Sequence, residues 1–159
     1  MPEQLAASAK KVQDAAETLG LQVTVREMPQ PTRTAEEAAA ACGVVVGQIV
    51  KSLVFLGIAS KKPYLLLVSG KNRVDEDAVA AHLGEKLTRP AAQMVRDLPG
   101  FAIGGIPPFG HDRKLPTYID ADLLAYEVVW AAAGTPRAVF SVEPAKLREA
   151  VGATVVKVG

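Results

Sequence analysis

Apolar residues recur every three or four positions at Leu5, Ala9, Val12, Ala16 and Leu19. That is the spacing of one buried helix face, and it predicts a helix over 3–19 that stops at Gly20. From Leu21 to Arg26 apolar and polar residues alternate, as in a half-buried strand. Pro29-Gln30-Pro31 interrupts the chain, and Thr34 with Glu37 three residues later has the spacing of a capping box. A second helix is therefore expected over Ala35 to Cys42, ended by Gly43. Gln48 to Phe55 and Tyr64 to Ser69 read as two strands joined by a polar, hairpin-like turn carrying Lys61 and Lys62. Asp75 caps a short helix through Leu83, and a further short helix is expected over Ala91 to Asp97. Leu115 to Ile119, Tyr126 to Ala131 and Arg137 to Val142 are expected strands, with a short turn or helix over Asp120 to Leu124. Pro144 opens a last helix ending near Gly152, and Thr154 to Val158 closes the chain as a strand. Strands and short helices are interspersed without a regular βαβ rhythm. The expected class is α/β of the α+β type, with a mixed, largely antiparallel sheet and peripheral helices, over a single domain spanning 1–159.

Two positions break this pattern. Lys51 lies within the otherwise apolar strand Ile49-Val50-Lys51-Ser52-Leu53-Val54-Phe55. A buried ammonium loses its hydration, so such a lysine belongs at a strand end, reaches solvent along its stem, or meets an anion. Downstream, Gly104-Gly105-Ile106-Pro107-Pro108-Phe109-Gly110-His111 combines glycines, which let a ligand approach backbone N–H groups, with prolines that stiffen the turn. The backbone N–H groups of Gly104, Gly105 and Ile106 could polarise a carbonyl oxygen as an oxyanion hole does. The same features also fit a solvent-facing lysine and a tight turn.

Composition narrows the chemistry. The formal net charge of +1 supplies no strong global field toward nucleic acid, so RNA would be held through a local patch. One cysteine, Cys42, excludes an intramolecular disulfide and a multi-cysteine zinc site, and with only His82 and His111 as histidines no metal or other cofactor is expected. Cys42 ends an alanine-rich helix and reads as a small core residue. No Gly-x-Ser-x-Gly elbow occurs, nothing near Ser69 would activate it, and Ser69-Gly70-Lys71 lacks the spacing of a P-loop. Asp75, Glu76 and Asp77 form a solvated helix start. No apolar run approaches the ~20 residues that span a bilayer, and the expected location is the cytoplasm, with no membrane partner. What remains is ester hydrolysis in which water or the substrate supplies the nucleophile.

The chain resembles the YbaK/ProX family, free-standing relatives of the editing domain of bacterial prolyl-tRNA synthetases. Five stretches carry the resemblance: Thr34 to Ala39 before Gly43, Ile49 to Phe55, Val68-Ser69-Gly70, Gly104 to Gly110, and Gly134-Thr135-Pro136. It implies a mixed sheet curled around a small pocket with helices outside. The implied activity is hydrolysis of the ester between a wrong amino acid and its tRNA, without a metal. The family lysine maps onto Lys51, implying that it positions the 3′-terminal adenosine through a phosphate. The family glycine loop maps onto Gly104 and Gly105, whose backbone would bind the aminoacyl carbonyl while a ribose hydroxyl of the tRNA helps activate water. Ser52, Ser69, Gly70, Ile106, Pro107, His111 and Thr135 are the expected substrate-binding residues. Some relatives carry a histidine or another polar side chain on the segment matching Gly134 to Val139; here Thr135 is the small polar candidate and Arg137 could meet RNA.

An apolar pocket separates side chains differing by one methylene by only ~1–3 kcal/mol, so synthetases for small amino acids need a second, hydrolytic sieve. The expected substrate carries alanine, cysteine, serine or 2-aminobutyrate on tRNA, with proline tRNA as the carrier. The expected partners are the aminoacyl-tRNA acceptor end and an aminoacyl-tRNA synthetase that delivers it. Two other readings stay open: a module of the same fold that binds nucleic acid or a synthetase without chemistry, and a hydrolase of free small esters or amides.

Overall fold

The computed structural model describes residues 7–32, 34–89, 107–109, 115–135 and 137–158. Four helices and eight strands are formed there. The helices are α1 (Ala7–Thr18), α2 (Ala35–Cys42), α3 (Glu76–Leu83) and α4 (Pro144–Val151). The strands are β1 (Arg26–Glu27), β2 (Ile49–Gly57), β3 (Pro63–Ser69), β4 (Leu87–Thr88), β5 (Thr117–Asp120), β6 (Val129–Ala132), β7 (Ala138–Val142) and β8 (Thr154–Val156). They make one mixed sheet in the order β1-β7-β6-β2-β3-β5-β8, with β4 attached to β2. The β2–β3, β2–β4, β6–β7 and β1–β7 ladders are antiparallel; β2–β6, β3–β5 and β5–β8 are parallel. The mixed α/β class expected from the sequence is what forms, with three parallel ladders beside the antiparallel ones.

The central strand explains its own sequence. Tyr64-Leu65-Leu66-Leu67-Val68 is buried throughout because β3 has a strand on each side and a packed layer on each face. On one face Val50, Val54, Leu65, Leu67, Ile119 and Phe140 pack with Ala9, Val12 and Ala16 of α1 and Leu147 of α4. On the other, Phe55, Leu66 and Val68 pack with Val79 of α3, Leu87 and Val156. A smaller cluster joins Ala38 and Ala39 of α2 to Ile49, with Trp130 beside it.

The helix ends follow their caps. Thr34 and Glu37 complete the capping box on α2, and Gly43 closes that helix in the left-handed conformation at φ 70°. Asp75 accepts from the Asp77 and Ala78 amides at the start of α3.

One expected strand is mostly irregular. Over Leu21 to Arg26 only Arg26 enters a ladder, with Val139. The reason is a side chain: Gln13 of α1 accepts from Val25 N–H and donates to Val23 C=O, filling bonds that a neighbouring strand would otherwise make. Strand β4 has two residues and leaves no periodic trace in the sequence. The helix expected over Ala91 to Asp97 lies outside the described residues.

The placement of β4 shapes the molecule. On its side away from β3, strand β2 pairs with β6 at Ile49 and Val50 and with β4 at Leu56 and Gly57. Between those contacts, residues 51–55 have no ladder partner on that side among the described residues. Gly70 N–H bonds Ile49 C=O and Gly57 N–H bonds Lys62 C=O, so odd residues face β3; Ile58 N–H bonds Lys86 C=O, so even residues face the gap. Ser52 and Val54 therefore turn their backbone N–H and C=O toward this opening.

A cationic cavity at the open edge of strand β2

A cavity of about 880 Å³ occupies the gap. Its wall includes β2 from Ile49 to Phe55, the start of α2 (Thr34, Ala35, Glu36), the turn after β3 (Gly70, Lys71, Asn72, Arg73), Arg89, and Trp130, Ala132 and Val139. Strand alternation puts Lys51, Leu53 and Phe55 on one face, while Val50, Ser52 and Val54 belong to the opposite one.

Lys51 is half-buried and lines this cavity. Its Nζ donates to the backbone carbonyl of Asn72 at 2.5 Å. Asn72 is itself fixed, because its Nδ2 donates to Asp120 Oδ2 and to Asp122 Oδ2, both at 2.8 Å. Asp120 is almost fully buried, and it also accepts from the Ser69 and Asp122 amides. The lysine thus rests on a turn tied to the end of β5. Burial holds the Lys51 ammonium below the ordinary lysine pKa; Glu36 opposes that shift, Arg73 and Arg89 add to it, and Asp120 opposes it weakly.

The remaining candidates separate. Gly70 lines the cavity, and its bare Cα is required: a Cβ there would strike the Val46 carbonyl and come 2.9 Å from the Ala35 Cβ. Ser52 lines the cavity too, and its buried Oγ has no hydrogen-bond partner. Ser69 is fully buried and donates its hydroxyl to Gly47 C=O at 2.7 Å, so it braces the neighbouring turn and does not line the cavity. Thr135 accepts from the Arg137 and Ala138 amides and shapes the β6–β7 turn, outside the cavity wall. Arg137 donates to Pro29 C=O at 2.6 Å. Pro107 is buried and is not among the cavity's lining residues. Gly104, Gly105, Ile106 and His111 lie outside the described residues.

Sequence reasoning missed Asn72, Asp120 and Glu36 as parts of the site. Asn72 carried one local signal, a turn residue directly after a buried strand. Asp120 pairs with it across 48 residues, which no local pattern reveals. Among the described residues no group of three or more His, Cys, Asp or Glu side chains could hold a metal, and no helix is long and apolar enough to cross a membrane.

Residues 29–150 match the model of the aminoacyl-tRNA editing domain. The chain belongs to that family. At 52% identity it superimposes, with a TM-score of 0.91, on the crystal structure of a proposed trans-editing enzyme for prolyl tRNA synthetase, over 97% of this chain and 98% of that one. A second crystal structure, of hypothetical protein APE2540, is similar at 32% identity and a TM-score of 0.87, over 93% and 98% of the two chains. Among curated proteins, the uncharacterized protein YwhH of Bacillus subtilis (strain 168) is 29% identical over 125 residues, 79% of each chain.

Proposed function

We propose that this editing domain acts in trans as an aminoacyl-tRNA deacylase, hydrolysing the ester of a small misloaded amino acid on proline tRNA. The observation that carries this reading is the lysine in the cavity: Lys51 is half-buried, points its ammonium at a fixed carbonyl, and has no carboxylate in salt-bridge contact among the described residues. A cation so placed suits a phosphate of the substrate. A cavity of about 880 Å³ exceeds a small amino acid and suits an aminoacyl group joined to its terminal nucleoside.

In this reading Lys51 anchors the terminal phosphate and sets the ester against the open edge of β2. The family resemblance assigns to Gly104 and Gly105, which lie outside the described residues, the backbone N–H groups that would stabilise the negative charge developing on the ester carbonyl. Water adds to the carbonyl carbon, and a neighbouring ribose hydroxyl of the substrate helps to deprotonate it. The bond from the carbonyl carbon to the ribose oxygen then breaks, and that oxygen takes a proton. The products are the free amino acid and an uncharged tRNA. Ser52 and Gly70 contribute to the substrate-binding wall. A synthetase partner would deliver the tRNA, which the near-neutral net charge favours.

The test is deacylation of proline tRNA carrying alanine, cysteine, serine or 2-aminobutyrate. Selective hydrolysis of one ester, with correctly charged prolyl-tRNA spared, is the expected result. Turnover of simple free esters at matching rates would contradict it, as would inertness toward every charged tRNA.

A further inference from the structure

We infer that Lys71, Arg73 and Arg89 form a phosphodiester-binding rim that holds the single-stranded RNA leading into the cavity; this rests on the deacylase reading. All three are exposed, and all three line the same cavity as Lys51. Of the charged residues in the described wall, four are cationic and only Glu36 is acidic. The local balance is thus strongly positive in a chain whose net charge is +1. Neither Arg73 nor Arg89 has a carboxylate within salt-bridge distance among the described residues.

The cations are also spread out. Arg73 follows Asn72, whose carbonyl binds Lys51, whereas Arg89 lies over the Phe55 ring at 5.5 Å from its centroid. Lys51 and Phe55 are four residues apart on one strand face, about 13 Å at the usual rise. One phosphate cannot reach both ends of that line, but a short polynucleotide can. The aromatic surface suits a single strand more than a duplex. Arg89 packs over the Phe55 ring, Lys71 sits 5.8 Å from the Tyr126 ring centroid, and Trp130 is part of the wall, so bases have aromatic and guanidinium surfaces to stack on. Arg73 and Arg89 also push the Lys51 ammonium toward its neutral form, so phosphates laid across the rim would help Lys51 stay charged.

The test uses an uncharged RNA hairpin ending in single-stranded CCA, with binding followed by fluorescence anisotropy against potassium chloride concentration. Each phosphate contact to a single strand contributes about 0.7 to the slope of log affinity on log salt. The Arg73→Ala/Arg89→Ala double variant should bind more weakly, with a slope shallower by about 1.4. Arg73→Lys/Arg89→Lys should restore most of the slope, since a lysine still neutralises a phosphate. Lys61→Ala/Lys62→Ala, in the β2–β3 turn and outside the cavity wall, should change the slope far less. A blunt duplex lacking the CCA end should bind less tightly than the hairpin. An unchanged slope in the double alanine variant would overturn the rim. Equal affinity for the blunt duplex would overturn the single-strand assignment. Because the hairpin carries no ester, a shallower slope supports the rim even if every charged tRNA proves inert, an outcome that would defeat only the deacylase reading.

Discussion

Lys51 Nζ is bonded to the backbone carbonyl of Asn72, and the Asn72 side chain is bonded in turn to Asp120 and Asp122. The ammonium is therefore aimed by a turn that is anchored from the far side of β3. Asn72 acts as a positioning residue: Asn72→Ala should lose two hydrogen bonds to carboxylates and destabilise the fold by about 1–3 kcal/mol. The partial rescue expected of Asn72→Ser, which keeps one donor, would separate positioning from bulk stability. Urea denaturation and deacylation measured on the same preparations check both. A variant with native activity would show that Lys51 does not depend on this turn.

Protonation of Lys51 gives the second expectation. Its pKa is lowered, chiefly by burial, so the ammonium is lost at a lower pH than an ordinary lysine. Binding of a phosphate-bearing substrate should therefore weaken as pH rises through that lowered value, and a bound phosphate should move the loss to higher pH. For folding the sign is the reverse. The native state holds the neutral form more easily than the unfolded chain does, so this group opposes folding while charged, and the opposition fades as pH rises. Affinity for the RNA hairpin measured between neutral pH and about pH 10 checks the first effect; a Lys51→Arg variant, which stays charged, should flatten the decline.

Glu85 offers a cleaner acid-side readout. Its carboxylate accepts from the Ala59 and Ser60 amides, the Ser60 hydroxyl and the Tyr64 hydroxyl, clamping the β2–β3 turn where Lys61 adopts φ 62°. Those bonds, first among them the one from the Ser60 hydroxyl, bring its pKa down from 4.5 to about 2. A depressed carboxylate stabilises above its unfolded value and loses that contribution as pH falls through the folded one. Stability should thus fall between about pH 4.5 and pH 2, and Glu85→Gln should remove part of that dependence in acid titrations followed by circular dichroism.

Gly70 tests the packing of the cavity wall. Gly70→Ala would drive a methyl group into the Val46 carbonyl and the Ala35 side chain. Overpacking of this kind costs about 1–3 kcal/mol and would push α2 away from the turn that bears Asn72. Thermal denaturation should show a clear loss; an unchanged melting temperature would mean that α2 shifts freely.

Much of the frame was legible from local chemistry. The Thr34 to Gly43 helix, the β2–β3 pair and the Asp75 cap are each specified within a few residues, and each forms where its signals lie. The lysine strand was legible as an anomaly, a charge inside an apolar run. What could not be read was pairing at long range. Gln13 takes the place of a strand partner for Val23 and Val25, and Asp120 reaches Asn72 from another strand. The same limit explains Ser69, whose position before Gly70 suggested a pocket residue while its hydroxyl is bonded to Gly47. Arg89 joins the cavity only because the two-residue β4 docks on β2, and no sequence period marks so short a strand.

In the proposed deacylase, Lys51 makes this cavity an ester-hydrolysing site. The most direct measurement is single-turnover deacylation of the preferred misacylated proline tRNA by wild type and Lys51→Ala, with melting temperatures recorded for both. The expected result, at enzyme concentrations below saturation, is a loss of about 100-fold in rate, the order that losing one partner of a buried, hydrogen-bonded charge pair produces, with the folded state retained. Deacylation by folded Lys51→Ala at the wild-type rate would contradict the account.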